Sequence, residues 1–402
     1  MQANKQSAQI ALDGPSALLL YRDRSESIRR PKPATKRAER SMADQDDEQD
    51  LWLSDEDVAA TLSQASIFGH SAEFTEIEQA SDSFLPALRQ SQTRYLLQCS
   101  SRSRDLSGIV YEDFGLQPPI QSSPLFLLVS NSRQKWPVNN VRQRVLTRGF
   151  PRESFYCMDR AVYVPRPELT FLLMSHYLSL TGLMLVGMEL CGHYRLMSAS
   201  SRQPLTSSRT LYNKQALTST AHLARYLERC NGIGGIKEAR RALRYLANDS
   251  ASPMESVVYL LLCLPRSLGG FAIRRPILNA KRAVNRSAKS FTLADHLVPD
   301  LYWPQYHLDV EYDSDEFHSD DVSLQAGARR TLALRSMNVE VFSLTYDVVN
   351  DTTAFEEFAH MITKRLGQRW RQPTEQELKR RKTLRADLLK QANVYRGALS
   401  DW

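Results

Sequence analysis

Apolar and polar positions along this chain change period several times, and each change marks an element. Leu125-Phe-Leu-Leu-Val129 is an unbroken apolar run that reads as a buried strand, and Ala161-Val-Tyr-Val164 reads as another. From Leu169 to Met188 there is no Asp, Glu, Lys or Arg, and the pattern predicts one buried helix. The run is about long enough to cross a bilayer. Ser175, His176, Ser179 and Thr181 interrupt it, however, and charged residues crowd both flanks without an inside bias, so no membrane association is expected. Ala221 to Cys230 and Ile236 to Leu246 read as helices joined through Asn231-Gly-Ile-Gly-Gly235, where glycines end one helix and start the connection.

Beyond Ala251 the predicted order is helix, strand, strand, helix, strand, helix. Ser252-Pro-Met-Glu255 carries a helix start: an N-cap Ser, a Pro in the first turn and a Glu three residues after the cap. The apolar run Val257 to Leu264 follows, stopped by Pro265 and Gly269-Gly270. Phe271 to Leu278 and His307 to Asp313 read as strands, Leu324 to Ser336 as a helix, Val339 to Leu344 as a buried strand and Ala354 to Leu366 as a closing helix. That order is the order of an α/β sandwich. A chain of 402 residues exceeds the usual size of one core. The expected organisation is a charged, disordered tail over 1–60, a mixed α+β domain over 84–250, an α/β domain over 251–370 and a basic helical tail over 371–402.

Charge changes this picture mainly at the ends. Residues 1–41 are rich in Arg and Lys, and Met42 opens an abruptly acidic stretch to Asp50, a step that raises Met42 as an alternative start of translation. The apolar stretch Ala17 to Leu20 is too brief for a signal sequence. Five widely spaced cysteines fit reduced thiols and a cytoplasmic protein better than a disulfide framework or a zinc site. Net charge of +7 permits a polyanionic partner without requiring one. Lys237 and Arg241 on one helix, and Arg380 and Arg381 near the C-terminus, are candidate phosphate contacts; a solvated helix surface is the simpler explanation of both groups. Gly232-Ile-Gly-Gly235 lacks the strand, spacing and lysine of a nucleotide loop.

The informative stretch runs from Val298 to His318. If Leu308 to Asp313 is a strand, Asp309, Glu311 and Asp313 project to one face while Leu308, Val310 and Tyr312 project to the other. Carboxylates two residues apart on a strand lie roughly 6 to 7 Å from one another, close enough to repel unless a cation or water intervenes. Asp300 can bring a further carboxylate to the same end of the sheet. Oxygen ligands of this kind suit Mg²⁺ or Mn²⁺. On spacing alone, an acidic strand facing solvent accounts for the same pattern.

Asp300, the element Glu311-Tyr-Asp313 and His318 resemble the PD-(D/E)XK nuclease superfamily, in particular its branch related to very-short-patch-repair endonucleases. Arg329-Arg330 with their helix, the strand Asn338 to Leu344 and the helix start at Ser252 are also similar to that branch. The resemblance covers about 120 residues. It departs from the pattern where Asp313 replaces the superfamily's lysine and Ser314 replaces the branch's usual glycine. It implies a restriction-endonuclease-like fold and a metal-dependent DNA endonuclease. Asp300, Glu311 and Asp313 would be the metal ligands, His318 a general base or orienting group, and Glu255 a helix carboxylate close to the site, although a capping Glu needs no such role. Arg329 and Arg330 would meet nucleic acid. Residues 120–250, through Val162-Tyr-Val-Pro-Arg-Pro-Glu-Leu-Thr-Phe-Leu-Leu173, are loosely similar to antitoxins of type IV abortive-infection toxin–antitoxin systems, which implies a toxin partner. The rival expectation is a catalytically inactive DNA- or protein-binding module that acts as a regulator.

Overall fold

The structure, a computed structural model, describes residues 10–23, most of 121–196, 210–313 and 321–394. The acidic stretch after Met42 and His318 lie outside the described residues. The chain divides into two compact units: one takes the chain up to Thr170 together with Ala224–Gly234, the other takes Phe171–Leu223 and Gly235 onward.

The first unit contains a three-stranded sheet in which β1 (Ile10–Ala11) lies parallel to β5 (Val162–Pro165), itself antiparallel to β4 (Phe155–Met158). A parallel pair, β2 (Leu125–Val129) and β3 (Val141–Val145), completes it. Helix α1 (Gly14–Asp23) buries Ala17, Leu18, Leu20 and Tyr21, and the Tyr21 hydroxyl donates to the Pro165 carbonyl at 2.7 Å. The expected disordered tail over 1–60 is therefore corrected for residues 10–23. The apolar run that is too short for a signal sequence is long enough to cover one helical face. Asp13, fully buried before the helix, accepts from the Gly14 amide at 2.6 Å and pairs with Arg144 of β3 at 2.5 Å. Its counter-charge stands 131 residues away.

The apolar stretch 169–188 forms two helices rather than one: α2 (Pro167–Met174) and α3 (Leu180–Leu190). Ser175 turns its hydroxyl back to the Leu172 carbonyl at 2.6 Å, and Ser179 caps α3 by accepting from the Gly182 amide at 3.3 Å. The interrupting polar residues thus make the break. Among the described residues no helix is long and apolar enough to cross a membrane.

In the second unit a short pair, β6 (Arg195–Leu196) and β7 (Thr210–Leu211), precedes α4 (Thr220–Arg229), whose last residues belong to the first unit, and α5 (Ile236–Leu243). Helix α6 (Pro253–Cys263) is buried from Glu255 through Leu262, and its cap is the expected one, the Ser252 hydroxyl accepting from the Glu255 amide at 3.1 Å. The strand expected over Phe271 to Leu278 shrinks to β8 (Ile277–Leu278). The amides of Phe271, Ala272 and Ile273 donate instead to the carbonyls of Leu261, Leu264 and Leu262. They satisfy acceptors that the end of a helix leaves open, and that competes with strand pairing.

The main sheet runs β13-β12-β11-β8. Strand β11 (Leu301–Trp303) is antiparallel to both β8 and β12 (Leu308–Asp313), and β12 is parallel to β13 (Glu340–Thr345). A smaller ladder joins β9 (Arg282–Ala283) to β10 (His296–Leu297). Helix α7 (Asp321–Ser336) covers one face of the main sheet, where Ala333 and Leu334 pack with Tyr302 and Val341. After α8 (Tyr346–Asn350), α9 (Thr352–Arg365) meets the other face through Phe358 against Phe342. Helix α10 (Glu375–Val394) packs against α3 and α6. The chain is thus an α/β protein, with helices on both faces of a small mixed sheet.

Candidate functional site

Register decides which carboxylates meet. Tyr302 stands opposite Asp309 and Leu301 opposite Val310. Directly opposed residues on antiparallel strands share a face, so Asp300, just ahead of β11, comes to the side of Glu311. The Tyr312 amide donates to Asp300 Oδ2 at 3.0 Å and locks that approach. Asp309, Glu311 and Asp313 share this face, as their spacing predicts. The face does not meet solvent: α7 lies over it, Asp309 and Glu311 are buried, and Asp313 is half-buried.

Arg330 enters this cluster from α7, one turn before Ala333 and Leu334. Its Nη2 donates to Glu311 Oε1 at 2.8 Å, to Asp300 Oδ1 at 3.3 Å and to the Val298 carbonyl at 2.5 Å. A single guanidinium nitrogen therefore touches both of the leading candidate ligands. Arg329, its neighbour in sequence, is exposed. The two arginines that share one expected role thus do different things, because successive helical residues point about 100° apart.

Asp309 is the member to which the sequence pattern assigns no role. It is 0% exposed, and neither carboxylate oxygen has a hydrogen bond of good geometry; the buried Tyr302 hydroxyl on the opposed strand is also unpartnered. Its place two residues before Glu311 is the only signal in the sequence, and alternation alone does not show that a helix buries that face. Burial pushes the Asp309 carboxyl up to about 7, with the Asp300 charge adding to the effect. Glu311 is pushed up by burial and by Asp300 and Asp309, against the pull of Arg330. Asp300 is also raised by burial, although Arg330 and the Tyr312 amide oppose the rise. One guanidinium cannot balance three buried carboxyls, so the cluster holds protons at neutral pH.

Glu255 approaches from α6. Its Oε2 accepts from Asn279 Nδ2 at 2.7 Å and from the Ala251 amide at 2.8 Å, so it closes the helix cap one residue further back than the usual reciprocal box. The Asn279 amide in turn donates to the Asp300 carbonyl at 3.0 Å. Burial, with the Asp300 charge second, brings Glu255 up to about 7. Glu255 is thus both a cap and a neighbour of the cluster. Among the described residues no group of three or more His, Cys, Asp or Glu side chains is arranged to hold a metal ion. The donors nevertheless fit the chemistry of Mg²⁺, which takes one or two protein carboxylates and completes its shell with water and phosphate. Asp300 and Glu311 supply such a pair, with the buried Asp309 beside it.

The proposed nucleic-acid residues scatter. Lys237 and Arg241 are exposed on α5, opposite the buried Ile236, Ala239 and Ala242. Arg380 is exposed on α10, whereas Arg381 is 5% exposed, ion-paired with Glu356 and stacked 4.1 Å from the centroid of Phe271. The charge of Arg381 is thus spent inside the unit. A basic segment that the sequence pattern does not single out, with Lys281, Arg282, Arg286 and Lys289, falls between Asn279 and Asp300 along the chain; Arg282 lies over the Tyr302 ring at 5.1 Å, and Lys289 is paired with Asp295 at 2.7 Å. No protein-family model, curated protein or solved structure matches this chain.

Proposed function

We propose that the second unit is a divalent-metal-dependent phosphodiesterase that cuts DNA, on a restriction-endonuclease-like core of the very-short-patch-repair type. The observation that carries this reading is the meeting of Asp300, just ahead of β11, and Glu311, on β12, on one nitrogen of Arg330, with the buried Asp309 beside them. Once ionised, three buried carboxyls around one monovalent cation are short of positive charge, so a dication that displaces their protons is favoured. Asp300 and Glu311 would hold Mg²⁺ or Mn²⁺, with Asp309 or Asp313 steadying them directly or through water. When bound, the ion supplies Lewis acidity at the scissile phosphate and lowers the pKa of a coordinated water.

The chain's own groups do the rest. The Tyr312 amide orients the Asp300 carboxylate, and the cover of α7 limits water around it. Lys281, Arg282 and Arg286 would present cations to a phosphate backbone. His318, five residues beyond Asp313, is the expected base or orienting group for the nucleophile. The looser likeness to antitoxins suggests a cytoplasmic defence or toxin–antitoxin setting, with a toxin as protein partner.

The test is nicking or linearisation of supercoiled plasmid with Mg²⁺ or Mn²⁺, comparing wild type with Asp300→Ala and Glu311→Ala. Cleavage with either metal that both substitutions remove is the expected result; no metal-dependent cleavage in wild type ends the catalytic reading. One observation favours a second reading, a metal-independent binding module: the guanidinium already sits between the two carboxylates. That reading expects salt-sensitive DNA binding that survives both substitutions and EDTA.

A further inference from the structure

The position of Arg330 has a bearing on how the site would be loaded, and this step rests on the metal-dependent reading above. The Asp300 and Glu311 side chains are 15% and 12% exposed, while that of Arg330 is 38% exposed. The guanidinium therefore stands between the carboxylates and solvent. A dication on the same two oxygens would meet a full positive charge at close range, so the two cations are mutually exclusive there. Arg330 can leave without opening the core, because Ala333 and Leu334 hold α7 to the sheet and its side chain is already partly exposed.

A guanidinium prefers planar, multi-oxygen anions and is weakly hydrated, so a nucleic-acid phosphate is the natural competitor for it. The cations at Lys281, Arg282 and Arg286 would concentrate that phosphate at this edge. We propose that Arg330 is an exchangeable counter-cation: it occupies the Asp300–Glu311 pair in the free protein and moves to a backbone phosphate when DNA docks, so that DNA and metal bind cooperatively. The ion then loads mainly when substrate is present. By linkage, metal tightens DNA binding by the same factor as DNA tightens metal binding.

The experiment is calorimetric titration of the full chain with Mn²⁺, with and without a hydrolysis-resistant phosphorothioate duplex. Wild type, Arg330→Met, Arg330→Lys and Glu311→Gln are compared. Methionine keeps an aliphatic stem and removes the charge. Arg330→Met without DNA should bind Mn²⁺ about tenfold more tightly than wild type, a ratio in the ordinary range for coupled sites. The duplex should tighten Mn²⁺ binding to wild type by about the same factor, and Arg330→Met should show little of that gain. Arg330→Lys should stay close to wild type, and Glu311→Gln should bind poorly throughout.

Equal Mn²⁺ affinities in wild type and Arg330→Met, with binding still dependent on Glu311, overturn the exchange and leave the metal site standing. An absence of Mn²⁺ binding by every form, with or without duplex, overturns both. Should Arg330→Met fail to fold, the wild-type titrations decide: an unchanged Mn²⁺ affinity on adding duplex refutes the coupling.

Discussion

Asp309 shows how one residue can set the pH response of the whole unit. Its folded carboxyl lies near 7, as does that of Glu255, while an unfolded carboxyl titrates near 4. Across that window the folded chain binds more protons than the unfolded chain, so these two groups make stability fall as pH rises through it. In EDTA, the melting temperature attributable to this unit should decline from about pH 4.5 to about pH 7.5, once acid-labile pairs elsewhere are matched by a control. Asp309→Asn should flatten the decline and add about 1 kcal/mol of stability near pH 8, because a neutral amide replaces a buried carboxylate. A slope identical in wild type and Asp309→Asn would show that Asp309 titrates normally. Arg330 carries the complementary lesson. Side by side with Arg329 in sequence, it alone is turned inward, and that turn is what joins Asp300 to Glu311.

Elements hold these residues in place through their ends more than their middles. The cap of α6 brings Glu255 to the cluster, and the carbonyls at its other end recruit Phe271 to Ile273, which shortens β8. Gly270 sits where that reversal is tightest: a Cβ there would lie 2.0 Å from the Leu264 carbonyl oxygen. Gly270→Ala should therefore cost about 2–4 kcal/mol in urea denaturation, the range of substitutions that force the backbone to move. Ser252→Ala removes one cap acceptor and should cost about 1 kcal/mol. A destabilisation by Gly270→Ala no larger than that by Ser252→Ala would mean the reversal gives way cheaply. Strand β12 is held differently, by a ladder to β13 along its whole length and one to β11 over Leu308–Val310, and that is why its acidic face can be buried without losing register.

For the molecule as a whole, charge connects stability to ligand. If Mn²⁺ binds the carboxylate cluster, an excess of 100 times its Kd adds about 2.7 kcal/mol of stability. Because the cluster holds protons, binding should also release them. Calorimetry in two buffers of different ionisation enthalpy measures that release; the same heat in both would mean the carboxyls are already ionised. DNA affinity should depend on the basic segment ahead of Asp300 more than on α5. Charge reversal at Lys281 or Arg286 should lower the salt slope of binding by about 1 for each phosphate that is no longer neutralised, as read by fluorescence anisotropy. Reversal at Arg381 should instead unfold or destabilise the unit, since its partners Glu356 and Phe271 are internal.

Local pattern was enough for the identity of most elements. Alternation at Leu308–Asp313 placed three acids on one face, the Ser252 signature started α6 at the right residue, and the buried run at 125–129 became a strand, because period and capping act over a few residues. The meeting of Asp300 with Glu311 was legible only as a possibility, and the burial of Asp309, the inward turn of Arg330 and the withdrawal of Arg381 into the interior were not legible at all. Those depend on which helix covers which face, and on partners such as Asp13 and Arg144 that lie far apart along the chain. Such long-range pairing leaves no periodic trace, since its energy comes from desolvation and charge balance that exist only once the layers have closed.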